Sequence, residues 1–142
     1  MIKFYNQEHE LIEEDPLRLA FDGKSGGPEV AKVYIRNDDD MLYFTYVRVL
    51  VETANYDDYG PVGTTGWGVK LMYGEREPTE EEWSQVLEDE ELVLPDIGTT
   101  EEGDTFTYHP VWIRVFCPGN SRAEIRRNQS IKVIGFGNLV GM

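Results

Sequence analysis

Apolar and polar residues alternate with a period of two through most of this chain, and the alternating runs are rich in β-branched and aromatic side chains. Residues two apart on a strand share a face, so runs of this kind read as half-buried strands. They fall at 2–6, 17–21, 30–36, 41–52, 66–73, 91–94, 106–116 and 130–136. Between them, 21–28, 36–40, 55–66, 95–104 and 117–120 are loaded with Gly, Pro, Asn and Asp, whose backbone freedom or local side-chain bonds suit turns. Seven or eight short strands at this spacing predict an all-β sandwich or barrel, a single domain over residues 1–142. One stretch breaks the pattern. In PTEEEWSQVL, residues 78–87, Thr79 and Glu82 have the spacing of a capping box, and the acids of the first turn suit a helix dipole. The spacing predicts a short helical turn over 79–87 with Trp83 and Leu87 on its buried side.

The run HPVWIRVFCPG, residues 109–119, holds the only cysteine and one of the two histidines. Alternation puts His109, Val111, Ile113, Val115 and Cys117 on one face, with Trp112, Arg114 and Phe116 on the other. His109 and Cys117 thus share a face, but eight residues of straight strand separate them by roughly 26 Å. A nucleophile and its base must be within about 3 Å. The run cannot supply its own dyad, and an enzymatic reading would need His9 to meet Cys117 from across the fold. Cys117 reads as a small hydrophobe.

Charge adds a restriction on partners. The formal net charge is −14, from 27 acids against 13 bases, with 40% of residues hydrophobic, a globular and strongly acidic composition. Phosphate backbones require a basic surface, so nucleic acid is not an expected partner. No run approaches the roughly 20 apolar residues that cross a bilayer, and the first ten residues lack the basic and apolar regions of a secretory signal. The expectation is a protein made and kept in the cytosol or assembled there into something larger. The charge is uneven: residues 37–104 carry nineteen acids and three bases, whereas 105–142 carry one acid and five bases. A basic end on an acidic chain suits docking on an acidic partner or on another copy of itself, with Arg122, Arg126 and Arg127 as the contact candidates. Neutralisation of the chain's own acidic loops explains them equally well.

The usual site chemistries find no purchase. NYDDYG, 55–60, has the look of a calcium loop, but Tyr59 stands at its fifth position and Gly66 at the twelfth, where a bidentate Glu belongs. Asp38, Asp39 and Asp40, and Asp57 with Asp58, could hold a cation from a loop, but adjacent side chains in extended backbone point apart, so solvated turn residues are the preferred reading. GFGNLVG, 135–141, lacks the third glycine of a dinucleotide fingerprint. NQS, 128–130, fits a glycosylation sequon that has no secretory context. No catalytic pair, metal set or cofactor site is expected. Of the aromatics, Trp67, Trp83 and Trp112 read as core; Tyr56 and Tyr59, in a loop, are exposed and suit binding, together with the loops around Trp67.

The stretch PLRLAFDGKSGGPEVAKVYIRNDDDMLYFTYVRVLVE resembles the opening of an immunoglobulin-like module of tailed-bacteriophage structural proteins. The end of that module is similar to LPDIGTTEEGDTFTYHPVWIRVFCPGNSRAEIRRNQSIKVIGF, with its "PDIG" turn, "P-W-x-R-V" strand, "PG" turn and final strand. The resemblance covers most of residues 16–137 and carries no catalytic signature. It implies an immunoglobulin-like antiparallel β-sandwich and a non-enzymatic virion protein on the particle exterior, a capsid decoration or a neck, tail or baseplate component. Its partners would be other virion proteins. A stand-alone module for carbohydrate or another host-surface ligand is the alternative. The acidic insertion around 75–104 departs from the pattern.

Overall fold

The computed structural model describes residues 2–13, 17–18, 27–53, 68–87, 90–99, 108–117 and 129–139, with backbone alone at 17–18, 27–29, 52–53, 68, 116–117 and 129–130. Eight strands and one short helix follow in chain order: β1 Ile2–Tyr5, β2 Leu17–Arg18, β3 Gly27–Asn37, β4 Leu42–Thr53, β5 Gly68–Tyr73, α1 Glu80–Ser84, β6 Leu92–Val93, β7 Tyr108–Cys117 and β8 Gln129–Leu139. They form two four-stranded antiparallel sheets, β1-β3-β7-β5 (sheet A) and β2-β8-β4-β6 (sheet B). The all-β sandwich with one helical turn that the alternation predicts is therefore the architecture.

Every odd-numbered strand lies in sheet A and every even-numbered strand in sheet B, so no two strands consecutive in sequence pair with each other. β2 pairs β8, β3 pairs β7 and β4 pairs β6, a nested set closing around β5 and α1. Immunoglobulin-like sandwiches share this layering and not always one wiring. The nested order of β2–β8 resembles that of a jelly roll, with β1 added at the β3 edge of sheet A.

Alternation decides what each strand buries. Val33 and Ile35 of β3, Val69 and Leu71 of β5, and Val111, Ile113 and Val115 of β7 point inward from sheet A; Phe44, Val47, Val49 and Ile131 meet them from sheet B. Each such side chain contributes roughly 1.5–3 kcal/mol when fully buried. His109 lies inward with Val111, Ile113 and Val115, as the period of two requires. Its Nε2 sits 3.0 Å from both the Pro95 and Asp96 carbonyls. The two prolines inside strands sit where no ladder donor is required of them. Pro28 precedes the stretch of β3 that β1 covers, which starts at Tyr34, and Pro110 lies just past the paired end of β5, where its carbonyl accepts from the Gly74 N–H at 3.3 Å.

One segment is more enclosed than its turn residues suggest, and one expectation needs correction. Pro95 and Asp96 are exposed, but Ile97 exchanges both backbone hydrogen bonds with Phe44, at 2.8 and 3.0 Å, and Ile97 and Thr99 are buried. The buried Asn37 secures this strap, its Nδ2 donating to the Leu42 carbonyl at 2.7 Å and the Gly98 carbonyl at 2.9 Å. Leu87 is not on a buried helix face, being 68% exposed. The helix stops at Ser84 with Gln85 as its C-cap, so Leu87 lies past the last turn and the i+4 relation to Trp83 does not apply. The capping box is present: the Thr79 hydroxyl accepts from the Glu82 N–H at 3.2 Å, and the Glu82 carboxylate accepts from the Thr79 N–H at 3.0 Å.

Candidate functional site

The residues singled out in the sequence for binding, Tyr56, Tyr59, Trp67, Arg122, Arg126 and Arg127, lie outside the described residues, as do Asp57 and Asp58. Those that are described separate. His9 sits at φ 62° in the Asn6–Glu10 loop, closed by the Asn6 Oδ1 accepting from the Glu8 and Glu10 N–H groups, both at 2.9 Å. It stacks on Tyr34 of β3 with ring centroids 4.2 Å apart. Cys117 pairs through its backbone with Gly27, seven residues further along the same strand, or about 23 Å. His9 and Cys117 therefore stand at opposite ends of sheet A, and His109 is eight residues of continuous β7 from Cys117. Asp39 works in a turn: its Oδ1 accepts from the N–H groups of Met41 and Leu42 at 2.8 and 2.9 Å, and these bonds hold its carboxyl below the usual range. Among the described residues no three His, Cys, Asp or Glu side chains gather as a metal set, and no helix is long and apolar enough to cross a membrane.

The two outward faces of the sandwich are more informative. On sheet A, α1 lies over the outer surface and seals Trp83, which is 1% exposed. Lys70 donates to the Trp83 carbonyl at 3.0 Å, Arg114 lies over the indole at 5.8 Å and pairs with Glu80 at 3.0 Å, and Trp112 Nε1 donates to the Gly74 carbonyl at 2.8 Å. Further along, Tyr108 meets the rings of His9 and Tyr34 edge-on, and Lys32 lies over Tyr34 and Trp112 at 5.0 and 5.3 Å. The rings and cations on this face are engaged with one another.

Sheet B has a different outer surface. β4 carries an irregularity between Thr45 and Arg48: Thr45 pairs Phe136 and Arg48 pairs Ile134, so Tyr46 and Val47 together oppose Gly135. This is a β-bulge, which re-aims side chains and often lies beside binding sites. Val47 turns inward and is fully buried; Tyr46, at φ 53°, projects outward and is 77% exposed. A bulky residue at positive φ is a genuine outlier with a conformational cost. The close approach explains Gly135, since a Cβ there would sit 3.2 Å from Ile2 Cδ1 and 3.3 Å from Val47 Cγ2.

The bulge opens a groove of about 590 Å³ lined by Tyr46, Arg48, Val93, Ile134, Gly135 and Phe136. Phe136 is 70% exposed and Val93 66%; the Tyr46 and Phe136 rings meet edge-on with centroids 6.4 Å apart. Arg48 is the one charged residue of the lining, flanked in register by Val93 and Ile134. Its nearest described carboxylate, Glu91, is 3.6 Å away, and its Nε is buried with no hydrogen-bond partner. A groove with apolar walls and one underused guanidinium is equipped to hold a ligand and has no nucleophile or acid–base pair among its lining residues.

Comparison with protein-family models, curated proteins and solved structures gives no match. The site is thus defined by its own geometry. Its residues come from three strands, and their meeting depends on a register that local pattern does not reveal. One signal was present: the apolar positions of β4 change parity, from Leu42 and Phe44 to Val47, Val49 and Val51, and that change marks the bulge.

Proposed function

We propose that this chain is a non-enzymatic structural protein that acts by protein–protein contact, as a component of the exterior of a tailed-phage particle, and that it docks through the outer face of sheet B. The observation that carries the docking face is the cluster of exposed Tyr46, Val93 and Phe136 around Arg48 on a sheet whose counterpart is covered. Contiguous exposed apolar surface with aromatic and Arg members marks interaction sites, and such residues dominate interface energetics. The phage context rests on the strand-and-turn resemblance of residues 16–137. It agrees with a net charge of −14, which a packaged genome would repel and the outside of a particle would tolerate. Jelly-roll wiring occurs in both capsid and lectin domains, so the wiring alone does not choose between roles. A glycan site is less well supported by this groove, because sugars need several convergent polar groups and the lining offers Arg48 alone among polar side chains besides the Tyr46 hydroxyl.

The test is mass spectrometry of purified particles from cells producing the encoding phage with either the wild-type chain or Phe136→Glu. The wild-type chain is expected at stoichiometric levels and the variant, shown folded by circular dichroism, is expected to be lost. A wild-type chain absent from particles overturns the reading; retention of the variant overturns the choice of face.

A further inference from the structure

We infer that the groove on sheet B seats a segment of a partner protein that presents an aromatic side chain beside a carboxylate, the ring lying against Tyr46, Val93 and Phe136 and the carboxylate on the Arg48 guanidinium. This rests on the reading of the chain as a contact protein and specifies what the contact recognises.

Arg48 supplies the first half of the argument. A guanidinium offers five donors in a planar fork that matches a carboxylate. Among the described residues the Arg48 guanidinium makes no hydrogen bond to an acceptor; its Glu91 contact at 3.6 Å is longer than a hydrogen bond, and both side chains are 43% exposed. Nε is sealed beneath the surface, so the terminal nitrogens are what a partner reaches. An incoming carboxylate can displace Glu91 and gain a bidentate, charge-assisted pair between two aliphatic walls.

The surroundings supply the second half. At net −14 the molecule repels anions at long range, so charge alone would not recruit a ligand and an apolar body must provide most of the contact. The exposed Tyr46 and Phe136 rings, meeting at 75°, leave faces and edges for a third ring. A free small acid fits less well. Small-molecule sites enclose 70–90% of their ligand, whereas this groove lies open on a sheet face, with Tyr46, Val93 and Phe136 each more than half exposed. A protein segment brings its own surface to close the open side.

The experiment is an NMR amide-shift titration of the full chain with acetyl-Phe-Asp-amide, acetyl-Phe-Asn-amide and 3-phenylpropionate. The Asp peptide is expected to move the amides of Tyr46, Arg48, Val93 and Phe136 at millimolar concentration, with the Asn peptide about fivefold weaker. Arg48→Gln is expected to abolish that difference and Phe136→Ser to abolish binding by both peptides. Absence of shifts with either peptide, or equal binding of the two by the wild-type chain, overturns the inference. Binding of 3-phenylpropionate alone also overturns it, in favour of a small-acid site. Particle association without peptide binding sinks the inference and spares the contact reading; peptide binding by a chain absent from particles does the reverse.

Discussion

Among the described residues, the outer face of sheet A is roofed by α1 and that of sheet B carries no such cover, although both sheets are built from the same alternating strands. On sheet A a five-residue helix, held by a capping box, lays Trp83 on the sheet, and Lys70, Arg114 and Trp112 satisfy nearby backbone and ring groups. On sheet B no described element crosses the Tyr46–Phe136 groove, and the one cation there has a long ion pair and a buried, unpartnered nitrogen. Side chains that secure a fold are enclosed and mutually satisfied. Side chains kept exposed, as Tyr46 and Phe136 are, contribute little to the fold, and on the reading proposed above they are kept for a partner.

The largest test of that contrast is Trp83→Ala. Removing a large side chain sealed beneath the helix is expected to cost about 3 kcal/mol in urea denaturation, and a loss under about 1 kcal/mol would mean that the roof is dispensable. Acid is expected to loosen the same roof. Arg76, hydrogen-bonded to Glu82, and after it the Thr79 N–H, lower the Glu82 pKa from its ordinary 4.5 to about 2. Because the folded value is depressed, this stabilisation is complete above the ordinary carboxylate value and fades as pH falls through about 2. The amide shifts of Thr79 and Glu82 should move as pH falls through about 2, and the effect should shrink in high salt because the pair is exposed.

Effects on the bare face are smaller and of different sign. Tyr46→Gly relieves the positive-φ cost and is expected to leave stability unchanged or raise it by up to about 1 kcal/mol. Phe136→Ser is expected to shift stability by no more than about 0.5 kcal/mol, as for a surface residue. Losses above about 2 kcal/mol in either would place those rings in the core's service and erase the contrast between the faces.

What could be read before the fold was known follows the range of the interactions. The inward set of β7, the strand positions and the Thr79–Glu82 box depend on residues within a few positions of each other, and all were legible. Leu87 misled because helical periodicity was extended past the point where the helix ends. Ile97 was hidden in a turn-like PDIG, since its burial depends on Phe44, more than fifty residues away. The groove was hidden for the same reason: Tyr46, Val93 and Phe136 become neighbours only when β4, β6 and β8 align. The loop residues chosen instead, Tyr56, Tyr59 and Trp67, and the basic Arg122, Arg126 and Arg127, lie outside the described residues.

The nested wiring bears on how the chain is made. β4 spends its longest pairing on β8, which begins at Gln129 with 75 residues between it and the end of β4 at Thr53. At a synthesis rate of about 5–20 residues per second, β4 leaves the ribosome on the order of 4–15 s before its main partner is available. Within that interval only the two residues of β6 and the Ile97 bridge become available to the twelve residues of β4, and pairings as distant as that with β8 form slowly even afterwards. The stretch translated in between is acidic, nineteen of the 27 acids falling within 37–104, from the turn before β4 to the approach to β7, so like charges repel neighbouring nascent chains during that wait.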